Sequence, residues 1–171
     1  METNKRNQLL LDVITSDIDN YVDWNYISRC TESNLSEDFM REFKYNIDWY
    51  YASIHQKMSE NFIREHKDFV KWRSISKYQE LSEDFIREFK DEVDWFHISE
   101  YQTLSEPFIR EMKDYVDWGM ISRAQKLSEE FIREFKDKVN WDNIFTHKNV
   151  SNDLKRDFKH MVNFKMYSTL Y

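Results

Sequence analysis

Apolar residues recur along this chain in two alternating patterns. In the stretch from Leu81 to Thr103, Phe85, Phe89 and Val93 fall at i, i+4 and i+8 with Ile86 beside them. They share one arc of a helix, while Glu83, Arg87 and Asp91 fall on another face. Trp95 then opens a shorter pattern that ends before Leu104-Ser105. The same phrase returns along the chain. After the first interval, Trp24, Trp49, Trp72, Trp95, Trp118 and Trp141 follow one another every 23 residues. Fourteen residues before each stands an aliphatic residue: Leu10, Leu35, Met58, Leu81, Leu104 and Leu127; Val150 continues this series and Phe164 that of the tryptophans.

Local signals bound two helices in each copy. Ser36, Ser59, Ser82, Ser105, Ser128 and Ser151 are placed as N-caps, followed by Glu in all but the last. Three residues after each Ser comes Phe or Leu rather than Glu, so no capping box is expected. A hydrophobic staple pairs Leu81 with Ile86, Leu104 with Ile109 and Leu127 with Ile132 instead. Pro107 sits in a first turn, where its missing N–H is harmless. Asp23, Asp48, Asp94, Asp117, Asn140 and Asn163 precede the Trp position as second N-caps, and only Lys71 breaks that series. The expected repeat is a helix of about twelve residues and one of about eight. Helices this short are marginal alone, so seven copies must stack to bury their Phe, Ile, Val and Trp faces. The predicted fold is an all-α solenoid without a β-sheet, one domain over residues 1–171. Its repeats span about 10–34, 35–57, 58–80, 81–103, 104–126, 127–149 and 150–171, with degenerate first and last copies acting as caps.

Composition agrees. One Gly, one Pro and 33% charged residues describe a helical chain, and 17% aromatics exceed what a disordered one carries. A formal charge of −7 disfavours nucleic acid as a partner while leaving room for a local basic patch. Cys30 has no second cysteine to pair with, and no stretch approaches the length of a membrane span. A cytoplasmic protein is the expectation.

The phrase Leu81-Ser-Glu-Asp-Phe-Ile-Arg-Glu-Phe-Lys-Asp-Glu-Val-Asp-Trp95 resembles a tandem repeat of proteins from giant DNA viruses and from phages with AT-rich genomes. The resemblance covers nearly the whole chain and is closest in the second to sixth copies. It implies a viral or mobile-element origin, and with it a protein that interferes with a host factor.

Candidate chemistry is sparse. Arg41, Arg64, Arg87, Arg110, Arg133 and Arg156 could form a guanidinium ladder for phosphates or carboxylates. The acids flanking them suggest local ion-pair rows instead, such as Glu60-Arg64-Asp68 and Glu106-Arg110-Asp114. The Trp series could stack bases, but its place between Val and Ile fits a core wedge better, with each indole N–H needing a partner. His55, His66, His97, His147 and His160 lack metal-ligand spacing, and His66 replaces a core Phe. No catalytic residue, cofactor or metal is expected, and the chain reads as no enzyme.

Where the copies differ, a partner could be read. A partner-binding row is expected along Tyr50, Tyr51, Phe69, Arg73, Tyr78, Phe96, His97, Tyr101, Tyr115 and Met120, residue types common at interface anchors. Drift at unselected surface positions is the alternative. The leading functional expectation is a scaffold that binds a protein partner, a host factor. The alternatives are an acidic nucleic-acid mimic inhibiting a host defence nuclease and a single-stranded nucleic-acid binder, the latter disfavoured by charge.

Overall fold

The computed structural model describes residues 23–29, 34–148 and 150–162. The expected core of the first copy (Leu10, Ile14, Ile18 and Val22), Cys30, Asn163 and Phe164 lie outside them. Among the described residues the fold is all-helical. Six helices open at or beside the Trp position: α1 (Trp24–Arg29), α3 (Trp49–His55), α5 (Trp72–Tyr78), α7 (Trp95–Tyr101), α9 (Trp118–Ala124) and α11 (Trp141–Thr146). Between them run the Ser-capped helices α2 (Glu37–Glu42), α4 (Glu60–Glu65), α6 (Glu83–Glu88), α8 (Glu106–Glu111) and α10 (Glu129–Glu134), and after α11 comes α12 (Asn152–Phe158). A 3₁₀ turn, Lys159–Met161, follows. The helices fall into two compact units, Met1–Asp94 and Trp95–Tyr171. In the first, α1 packs on α3 and α3 on α5; in the second, α7 packs on α9 and α9 on α11.

The Ser caps form as their spacing predicts. Ser59 Oγ accepts the Phe62 N–H at 3.2 Å, and Ser36, Ser82, Ser105, Ser128 and Ser151 do the same for the third residue of their helices. The other half of a capping box, absent within each copy, is supplied by the copy before it. Glu37 accepts the Ser59 N–H at 2.8 Å, Glu60 that of Ser82 at 2.7 Å, Glu106 that of Ser128 at 2.6 Å and Glu129 that of Ser151 at 2.8 Å. The box is thus split across the stack. At the Trp helices, Asp23, Asp48, Asp117 and Asn140 cap as expected, and Lys71 makes no side-chain cap.

The Ser-capped helix is shorter than its periodicity suggests. Helix α2 stops at Glu42, and Phe43 adopts φ −105°, ψ 27°. The Phe43 carbonyl then accepts from Asn46 and Ile47, closing a second, separate turn. The same break follows α4, α6, α8 and α10 at His66, Phe89, Met112 and Phe135. The turn keeps Ile47, Val70, Val93, Val116 and Val139 buried. It also frees a carbonyl, and this is where the tryptophan N–H goes. Trp49 Nε1 donates to the Lys44 carbonyl at 2.7 Å, Trp118 to Lys113 at 3.0 Å and Trp141 to Lys136 at 2.9 Å.

The Trp rings join one copy to the next. Trp24 packs on Phe39 and Phe43, Trp49 on Phe62 and His66, Trp72 on Phe85 and Phe89, Trp118 on Phe131 and Phe135, and Trp141 on Phe158. Trp49 and Trp141 are buried; Trp24, Trp72, Trp95 and Trp118 are half-buried wedges. His66 is buried in the Phe slot it replaces, stacked on Phe62 at 4.2 Å with Nδ1 3.1 Å from the Phe62 carbonyl.

Two polar ladders run through the same core. Ser53 Oγ donates to the Trp49 carbonyl at 2.6 Å and accepts the Lys71 N–H at 3.0 Å. Ser28, Ser76 and Ser122 make the equivalent pair of bonds, the last to Trp118 and Asn140. Gln79 is buried, with Oε1 accepting from the Met58 N–H and Nε2 donating to the carbonyls of Ser53 and Gln56. Gln125 repeats this with Leu104, Ser99 and Gln102. Where α11 ends a residue early, His147 Nε2 takes over, 2.8 Å from the Ser122 carbonyl. Each side chain satisfies backbone groups of short helices and their flanking loops, and reaches at least one of them in the neighbouring copy.

Candidate partner-binding face

Four arginines of the series are committed to the stack. Arg41 Nε lies 2.8 Å from Glu65, Arg64 Nε 2.7 Å from Glu88, Arg110 Nε 2.8 Å from Glu134 and Arg133 Nη2 2.9 Å from Asp157, each in the following copy. The guanidiniums lie 4.9–5.5 Å from the ring centres of Phe62, Phe85, Phe131 and Phe158. Within their own helices Arg41, Arg64 and Arg110 meet Glu37, Glu60 and Glu106 at i−4. The expected third member of the row is displaced. The helix ends at Glu65, leaving Asp68 in the following turn, and Arg64 reaches across to Glu88 instead. A ladder engaged in this way is cross-bracing rather than a free cationic surface.

These contacts set the acid behaviour. The hydrogen bond from Arg41 holds the Glu65 carboxyl below its ordinary value and raises Arg41. The Ser151 hydroxyl and amide hold Glu129 below the ordinary 4.5. A depressed carboxyl adds stability above its unfolded pKa and loses it as pH falls through the folded one. The thermal midpoint should therefore drop as pH falls below about 4.5. Circular dichroism melts at pH 7 and pH 3 check this: a midpoint unchanged or higher at pH 3 contradicts it, and Glu129→Gln should flatten part of the drop.

The structure divides the expected row. Tyr50, Arg73 and Tyr78 in the first unit, and Phe96 and Tyr101 in the second, lie exposed on the Trp helices. Tyr51 stands half-buried beside Tyr50, their ring centres 5.3 Å apart, and stacks on His55. Met120 is also half-buried. His97 is 6% exposed, its ring between Phe96 and Tyr101. It supports those two rings rather than offering its own surface. Phe69 and Tyr115 lie in the turn after the Ser-capped helix, not within it. Phe69 packs on Trp49 at 5.5 Å and on Tyr45; Tyr115 packs on Trp95 at 5.4 Å. Each of the two thus lies at the joint between its own copy and the preceding one.

Sequence reasoning passed over Tyr26, which is 57% exposed on α1. It occupies the repeat position of Tyr51, His97 and Met120, but it lies in the most divergent copy, where alignment is weakest. At the other end of the helices an open cleft of about 430 Å³ is lined by Ile54, His55, Lys57, Tyr78 and Glu80, among others. A second, of about 400 Å³, lies beside Gln125, Ile144 and His147.

Among the described residues no His, Cys, Asp or Glu group is arranged to hold a metal, and no helix is long and apolar enough to cross a membrane. The helices, their register and their inter-copy bonds define a tandem helical repeat of the α-solenoid class. Compared with known protein families, with curated proteins and with solved structures, the chain matches none.

Proposed function

We propose that the chain is a non-enzymatic repeat scaffold that binds a protein partner, a host factor of the virus or phage from which such a repeat would come. The observation that carries this reading is the division of labour within the repeat. Phe, Ile, Ser, Gln and Arg positions are occupied by contacts between copies. On the Trp helices, large rings at Tyr50, Tyr78, Phe96 and Tyr101 stay exposed at positions where the copies differ. Exposed aromatics are typical anchors of protein recognition. Affinity capture from host-cell lysate tests it. A protein retained by the native chain should be lost from a Tyr51→Ser/Phe96→Ser/Tyr101→Ser variant that still melts cooperatively. Equal retention would refute this placement, and salt-sensitive binding to nucleic acid alone in a gel shift would refute the scaffold.

A second reading, an acidic mimic that occupies a nucleic-acid site on a host nuclease, is favoured by the Ser-capped helices. They carry more acids than arginines, and Asp38 and Asp84, although paired with Arg41 and Arg87, have side chains 95% and 92% exposed. Displacement of nucleic acid from the captured protein would select it.

A further inference from the structure

We propose that the Trp-helix face of the Met1–Asp94 unit binds an acidic, extended peptide segment of a partner protein, an inference that rests on the protein-binding reading above. Helices α1, α3 and α5 pack side by side in this unit. Their sequences, WNYISR, WYYASIH and WRSISKY, contain Arg29, Arg73 and Lys77 but neither Asp nor Glu. Lys71 stands where the other copies place an acidic or amide cap, and Lys57 lies in the loop after α3. Two acids on this face are bound locally, Asp23 to the Tyr26 N–H and Asp48 to the Tyr50 and Tyr51 N–H groups. Asp94 lies 4.0 Å from Arg73, and Glu80 is exposed at the end of α5. The Ser-capped helices of the same unit read EDFMRE, ENFIRE and EDFIRE. Net charge therefore differs across the unit: taken together the Trp helices carry cations without acids, while the Ser-capped helices carry more acids than arginines, in a chain whose net charge is −7.

Aromatic rings interleave with those cations. Tyr26, Tyr50 and Tyr78 are each half or more exposed, the Arg29 guanidinium lies 5.9 Å from the Tyr26 ring and the Lys77 ammonium 4.9 Å from that of Tyr78. The polarity is not a property of the repeat. In the second unit α7 carries Glu100, which pairs with Arg123, and α11 carries Asp142.

The geometry suits a short extended chain. Packed helices lie about 8–10 Å apart, and an extended peptide advances about 3.3 Å per residue. One helix step thus spans about three residues, and α1 to α5 about six. Carboxylates at the two ends would meet Arg29 and Arg73 or Lys77, with an apolar residue between them against Tyr50. A nucleic-acid strand carries a charge at every step and would meet the long-range repulsion of the acidic helices. A peptide with a few spaced acids would meet far less.

Panning of the full chain against phage-displayed random dodecapeptides, followed by fluorescence anisotropy of the labelled winners, tests the proposal. Enriched peptides should carry Asp or Glu flanking an apolar residue. Their affinity should fall at least tenfold in Arg73→Glu/Lys77→Glu and remain in Asp38→Asn/Asp84→Asn, with unchanged melting in both. Basic peptides lost in Asp38→Asn/Asp84→Asn would overturn this surface while leaving the protein-binding reading intact. Labelled oligothymidylate that binds through Arg73 and Lys77 in place of any peptide would overturn both. No enrichment, or enrichment indifferent to Arg73 and Lys77, would overturn the peptide proposal, and lysate capture would then judge the scaffold separately.

Discussion

A Gln79→Leu variant is expected to lose about 3 kcal/mol of unfolding free energy, although it trades a buried polar side chain for an apolar one of similar size. Leucine cannot accept from the Met58 N–H or donate to the Ser53 and Gln56 carbonyls, which Gln79 bonds at 3.1, 3.1 and 2.9 Å. Each buried backbone group left without a partner costs about 1–3 kcal/mol, and relaxation toward solvent recovers part of the total. The gain in apolar burial is smaller, about 1.5–3 kcal/mol for a whole leucine side chain in a well-shaped pocket, and this pocket is shaped for an amide. Urea unfolding followed by circular dichroism measures the outcome. A loss under about 0.5 kcal/mol would mean that water replaces the amide, and the glutamine ladder would then have no stabilising role.

The second large effect is at Phe62. Phe62→Ala should cost about 3–5 kcal/mol, the range for deleting a fully buried ring. Phe62 has no exposed surface and receives contacts from both sides: His66 at 4.2 Å in its own copy, Trp49 at 6.1 Å and the Arg41 guanidinium at 5.1 Å in the preceding one. Because neighbouring copies stabilise each other, part of the loss should appear at the joint. The diagnostic is a red-shifted tryptophan emission at denaturant concentrations where the native chain is still folded. Phe89→Ala, at a half-buried ring, should cost less. Equal losses at the two positions would show that the ring at Phe62 packs no better than one at the edge.

Much of this architecture was legible in the chain. The 23-residue period of Trp and Ser marked the helix starts, because an N-cap is a local device and needs only its own few residues. The buried Phe, Ile and Val positions followed from their spacing for the same reason. The break at Phe43 and its equivalents was not legible. The apolar period runs on through Ile47, Val70 and Val93, and no Gly or Pro stands at these breaks to mark the stop. The candidate face was legible as the places where copies differ, but not its depth. His97 and Tyr101 are sequence neighbours of similar character, yet one lies beneath the ring surface and the other on it.

What the sequence determined by itself is the repeat, its two helices and their apolar faces, all products of short-range periodicity and capping. What only the tertiary structure decided is how one copy holds the next. The recurrence of Ser53, Gln56, Ser76 and Gln79 is visible in the chain, but a polar residue that repeats can be a solvated face or a buried ladder. The choice depends on which backbone groups the neighbouring copy leaves open, and those groups exist only once both copies are folded against each other. The same holds for Glu60. A capping box absent from every copy is completed by the copy before it, because stacking brings the Glu60 carboxylate within 2.7 Å of the Ser82 N–H.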